Sequence, residues 1–152
     1  MADSHNAFQR LRLKYPRPFG GEIDMTPENC KQCIKYLLDK SEDGHTRVAA
    51  AESLMHCNTD EAKQALFRIV ADESEPDYLR EEAAVSLGAR WGESEIDYDR
   101  LVQIPSRLLD EVVCDFDSYR MKIDKGRLCD KLTFFEQRYG ERQFMAEPRS
   151  CS

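Results

Sequence analysis

The quartet C-K-Q-C, Cys30 to Cys33, is the sharpest chemical signature in the chain. Two cysteines at this spacing can form half of a zinc site, here completed by His56 and Cys57, or can act as a redox dithiol. Both cysteines also fall on the helical stripe that carries Ile34 and Leu37, where a free cysteine behaves as a small hydrophobe. With no second C-x-x-C and no βαβ context, they read as structural, with no metal bound. The three histidines offer no catalytic base: His5 lies in an N-terminal arm, His45 at a helix start, and His56 near a helix end that favours its cation. Gly20-Gly21 follows no strand, so no phosphate loop or nucleophile elbow is present. Cys151 stands one residue from the end, not four, which excludes prenylation. The expectation is a protein with no enzymatic activity and no cofactor.

Charge is more informative than any motif. From Asp72 to Asp117 the chain carries fourteen acidic residues against four arginines, although its overall net charge is only −7. The flanks are correspondingly basic. Such a central field repels phosphate backbones and argues against direct nucleic-acid binding. Interleaved with the acids are aromatic residues, a composition common at protein interfaces. The expected partner-binding residues are Asp72, Glu73, Glu75, Asp77 and Tyr78 before one helix, and Trp91, Glu93, Glu95, Asp97, Tyr98 and Asp99 after it. Trp91 also sits on a helical apolar stripe, so core and interface are both open to it.

The elements that must position these residues are helices. After Thr26-Pro27, an N-cap followed by proline at the first helical position, Cys30, Cys33, Ile34 and Leu37 recur at i, i+3, i+4 and i+7. A second helix is expected from Gly44 to Cys57. Thr59 or Asp60 caps a third carrying Ala62, Ala65, Leu66 and Ile69, and Asp77 caps a fourth with Ala83, Ala84, Leu87 and Trp91. Tyr98, Leu101 and Val102 allow a short helix, Pro105 interrupts, and Leu108, Leu109, Val112 and Phe116 define another. A last helix carries Leu128, Leu132, Phe135 and Tyr139. At 152 residues and 41% hydrophobic, one domain suffices, placed at 26–139 between an arm (1–25) and a flexible tail (140–152). The N-terminal M-A-D-S-H-N lacks an apolar export segment and no eighteen apolar residues run together, so a cytoplasmic protein with reduced thiols and no membrane association is expected.

The segment T-R-V-A-A-A-E-S-L (46–54) returns 33 positions later as L-R-E-E-A-A-V-S-L (79–87), keeping Arg47/Arg80, Ala50/Ala83, Ala51/Ala84, Ser53/Ser86 and Leu54/Leu87. A helix pair of this size cannot bury its apolar face alone, so successive pairs stack, with small residues where backbones approach. The Arg-x-x-Ala-x-x-x-Leu pattern over residues 44–103 resembles the HEAT-like repeats of phycobilin lyases and many scaffolding proteins. The resemblance implies an all-α short solenoid of antiparallel helical hairpins with capping helices. The family pattern sets an acidic residue three before the arginine, which Asp77 matches and Gly44 does not. Iron-dependent hydroxylases built on such repeats use His-Glu pairs, whereas here the histidines precede Asn, Thr and Cys. The function expected is protein–protein interaction through the acidic face, most concretely an immunity or inhibitor protein capping a basic toxin or nuclease. The alternatives are a lyase- or chaperone-like module holding a tetrapyrrole or other cofactor, and a scaffold subunit of a larger assembly.

Overall fold

The computed structural model describes residues 25–114, 116 and 123–139. The expected arm, apart from Met25, and the expected tail lie outside the described residues. Among the described residues seven α-helices follow in order: α1 Pro27–Leu38, α2 Gly44–Leu54, α3 Asp60–Ala71, α4 Asp77–Glu93, α5 Tyr98–Leu101, α6 Ser106–Val113 and α7 Leu132–Tyr139. Two 3-10 turns, Lys125–Arg127 and Cys129–Lys131, precede α7. The chain is all-α, a short solenoid in which α1 packs on α2 and α3 on α4 as hairpins, while α2, α4 and α6 stack as an inner layer and α1 lies beside α3.

Most helix starts are set by their capping side chains. Thr26 accepts from the Asn29 N–H at 3.2 Å, Asp43 from Thr46 at 2.8 Å and Thr59 from Ala62 at 3.1 Å, each satisfying a donor that the helix leaves open. Asp77, expected as the cap of α4, instead occupies the first helical position, with Pro76 at the N-cap and no side-chain cap bond. Pro105 takes the same place before α6. Proline fixes φ near the value that both positions need, and its missing N–H costs nothing at a helix start. Helix α2 ends at Leu54, three residues short of the expected Cys57.

The 33-residue repeat has a physical cause. Arg47 donates from Nε to the Leu37 carbonyl at 2.9 Å, and Arg80 donates to the Val70 carbonyl at 3.0 and 2.8 Å. Each arginine thus reaches back ten residues to the last turn of the preceding helix and satisfies a carbonyl that the helix leaves free. The turns repeat as well: Asp39 binds the backbone and hydroxyl of Ser41 as Asp72 binds those of Ser74. These bonds hold Asp39 below the usual carboxylate range and bring Asp72, with Lys40 beside it, down to about 2. Lys40 then ties the two turns together by reaching Asp72 and Ser74, both at 3.1 Å.

Between the layers, Arg47 grips both carboxylate oxygens of Glu75, and both residues are buried. Arg80 makes its carbonyl contacts without a carboxylate among the described residues. The residue before Pro76 is Glu75, and the residue before Pro105 is Ile104, which is fully buried. The ion-pair ladder therefore stops at the third layer, where a carboxylate gives way to an apolar closure.

The alanines mark where the stack is tightest. Ala50, Ala51, Ala83 and Ala84 are all 0% exposed, and a Cβ on Gly88 would stand 1.7 Å from the Val112 carbonyl oxygen of α6. Enlarging Ala50 or Ala83 to leucine is expected to cost about 1–3 kcal/mol by overpacking, read from thermal melts.

The cysteines correct the expectation of reduced thiols. Cys30, near the start of α1, is disulfide-bonded to Cys57, just beyond the end of α2, because the antiparallel hairpin brings their Cα atoms to 5.9 Å. Cys129 is disulfide-bonded as well. Cys33 remains a free buried thiol, pushed up to about 11 by burial. C-K-Q-C is thus split between a bridge and a packing residue, and Cys57 is not available as a metal ligand beside His56. Among the described residues no three of His, Cys, Asp and Glu gather as a metal site.

Candidate functional site

Helix α4 divides the expected acidic face in two. Its 17 residues span about 25 Å, so Asp72, Glu73, Asp77 and Tyr78 lie at one end and Glu93, Glu95, Asp97 and Asp99 at the other.

At the α3–α4 end the acids are largely engaged. Asp72 binds Lys40, and Asp77 accepts from Arg107 at 3.0 Å. Glu75 is a correction to the expected surface: buried and bound to Arg47, it belongs to the interior. Tyr78 is half exposed, with its hydroxyl over Gly44 of the neighbouring hairpin. Glu73 is exposed.

The α4–α5 end is built differently. Ser94 closes α4 by donating its hydroxyl to the Arg90 carbonyl at 2.7 Å, and Asp97 opens α5 by accepting from the Arg100 N–H at 3.2 Å. Between them the turn leaves Glu95 exposed and buries Ile96. Glu93 is bound by the buried Arg90, and Asp97 pairs with Arg100 at 3.6 Å while the Arg100 guanidinium also lies 5.5 Å from the Phe67 ring centre. The Asp99 carboxylate is exposed, its carbonyl held by Gln103.

Trp91 and Tyr98 prove to be interior. Tyr98 is 7% exposed; its oxygen accepts the Asp124 N–H at 2.8 Å and Arg127 covers its ring at 4.5 Å, which fastens the C-terminal segment to the stack. Burial pushes its phenol upward, opposed by the Asp124 bond. Trp91 is 1% exposed, yet it is not sealed in. With Ile96 it forms the floor of a cleft of about 390 Å³, walled on one side by Asp60, Lys63 and Gln64 of α3 and on the other by Glu95, Asp97 and Arg100.

No family model, curated protein or solved structure matches this chain. Function must therefore be read from the side chains themselves.

The cleft unites three of the expected site residues, Trp91, Glu95 and Asp97, with three charged ones that periodicity did not single out: Asp60, Lys63 and Arg100. The sequence marks Asp60 only as a possible cap of α3 and does not single out Lys63. The signal available for them was the charge at the polar positions of α3, which becomes a wall only because α3 pairs with α4. On the inner helices, Glu82 is raised above the ordinary glutamate range, chiefly by burial and then by Glu52 of α2 and Glu111 of α6. Like charges thus run across the stack without a basic group to offset them in that shift. Among the described residues no helix is long and apolar enough to cross a membrane.

Proposed function

We propose that this protein binds another protein whose surface is basic, and that it does so with the acidic α4–α5 end of the stack. One observation carries the reading: exposed Glu95 lines the same cleft as Trp91 and Ile96, with exposed Asp99 following in the first turn of α5, so charge for steering and an apolar anchor point occur together. An immunity- or inhibitor-type protein that masks a basic, phosphate-binding surface suits this arrangement, as does the net charge of −7. The HEAT-like resemblance is compatible with such a scaffold and carries no activity of its own. A cofactor-holding role draws less support from the geometry, because the cleft wall is chiefly polar. A cytoplasmic location loses the support that reduced thiols would have given, since the Cys30–Cys57 bridge suits an oxidising compartment.

The test is capture of the partner from the native host with tagged protein, followed by association kinetics at low and high salt. Association should slow as salt rises, and reversing Glu95 and Asp99 to Lys should slow it about tenfold or more. Reversing the exposed Glu73 should leave the rate within about twofold, because the patch lies more than a Debye length away. Salt-independent binding, or greater sensitivity to Glu73 than to Glu95 and Asp99, contradicts the assignment.

A further inference from the structure

We propose that the α4–α5 cleft is an anchor pocket for one basic side chain of a peptide segment, arginine in preference to lysine, with a main-chain carbonyl of that segment accepting from the Trp91 indole. This rests on the protein-binding reading and specifies what that interface grips.

The argument begins with an unused donor. Trp91 is 1% exposed, and its indole N–H, unlike its main-chain carbonyl, which accepts from Ser94, has no hydrogen-bond partner among the described residues. Among the described residues the fully enclosed polar atoms without a partner are Ser53 Oγ, Ser86 Oγ and Arg90 Nε, so the indole N–H is not fully enclosed, and the cleft is the open space that Trp91 lines. A buried tryptophan normally finds an acceptor for this group. A carbonyl or carboxylate oxygen is needed, which an isolated cation cannot supply and a peptide can.

The charged walls then choose the side chain. Asp97 is committed to Arg100, through both the ion pair and the cap of α5. With Arg100 paired to Asp97, what remains among the described lining residues is Asp60 from α3 and Glu95 from the α4–α5 turn, both exposed, against Lys63. The surplus is one negative charge. A guanidinium presents donors in several directions and can serve carboxylates on two walls, whereas an ammonium is a compact point charge. A cleft of about 390 Å³ holds one such side chain with its flanking backbone.

The chain's one tryptophan is the reporter. The probes are acetylated, amidated tripeptides, Gly-Arg-Gly, Gly-Lys-Gly, Gly-Leu-Gly and Gly-Glu-Gly, titrated at matched ionic strength to about 20 mM, above the millimolar range expected for one ion-paired side chain. The arginine peptide should produce a saturable change in Trp91 fluorescence, the lysine peptide a weaker one, and the leucine and glutamate peptides none. Glu95→Gln and Asp60→Asn should each weaken the arginine response at least about threefold, while Glu73→Gln at the far end of α4 leaves it intact; circular dichroism confirms that all three are folded. No saturable response to the arginine peptide overturns the proposal. So does an equal response to leucine, or a stronger one to glutamate, which would mean that Lys63 and Arg100 select an anion. If the tripeptide fails while the captured partner still responds to salt and to reversal of Glu95 and Asp99, the interface stands and the anchor pocket alone is lost.

Discussion

Replacing Glu75 with alanine should destabilise the protein by about 3–5 kcal/mol, the cost of leaving a buried charge without its partner. Arg47 would keep its bond to the Leu37 carbonyl but lose both contacts to the carboxylate, in a site where both residues are almost fully buried. Urea denaturation gives the loss directly. The pair Arg47→Met with Glu75→Leu should recover most of it, because a buried ion pair replaced by apolar side chains of similar volume is often close to neutral. If Glu75→Ala changed stability by less than about 1 kcal/mol, Glu75 would be a surface residue and the sequence-based expectation would have been right.

Gly88→Ala should be comparably damaging, at about 3 kcal/mol or more. The new methyl would meet the Val112 carbonyl oxygen at 1.7 Å and its carbon at 2.7 Å, and main-chain atoms of a packed helix cannot step aside cheaply. Alanine gains about 1 kcal/mol over glycine in helix propensity, which the collision exceeds. Gly44→Ala is the control, since the nearest atoms to its Cβ would be the hydroxyl and outer ring carbons of Tyr78, the end of a half-exposed side chain that can swing away. That variant should fall within about 1 kcal/mol of the parent. Equal losses at both glycines would mean that α4 and α6 are not in close contact.

The contrast between these residues shows what the sequence made legible. Apolar spacing found α1 and α3 because each buries one stripe, and Thr26 and Thr59 carry cap chemistry in their side chains, whereas α2 and α4, in the inner layer, are buried on most sides. The 33-residue recurrence located the stacking alanines. The role of the repeated arginine was hidden, because its partner carbonyls at Leu37 and Val70 are backbone atoms that no residue type advertises. Glu75 misled for a related reason: a carboxylate in an acidic run looks solvated until its turn packs against Arg47 of the preceding hairpin. Continuing the repeat backward, Asp39, Ser41 and Glu42 match Asp72, Ser74 and Glu75, which could have marked Glu75 as part of the repeat. The disulfide escaped notice because Cys30 and Cys57 are 27 residues apart and meet only through the antiparallel pairing of α1 with α2. For the candidate site, composition pointed to an acidic stretch but could not tell that α4 divides it, nor that α3 lends Asp60 and Lys63 to the cleft.

The central claim is that a basic partner engages the α4–α5 end of the stack. Hydrogen–deuterium exchange of the protein alone and in complex with the captured partner tests it most directly. Binding should slow exchange in the turn from Gly92 to Arg100 and in the first turns of α3 around Asp60 to Gln64, leaving the Asp39–Ser41 and Asp72–Ser74 turns unchanged. Protection confined to those two turns, with the α4–α5 end exchanging as it does in the free protein, would contradict the account.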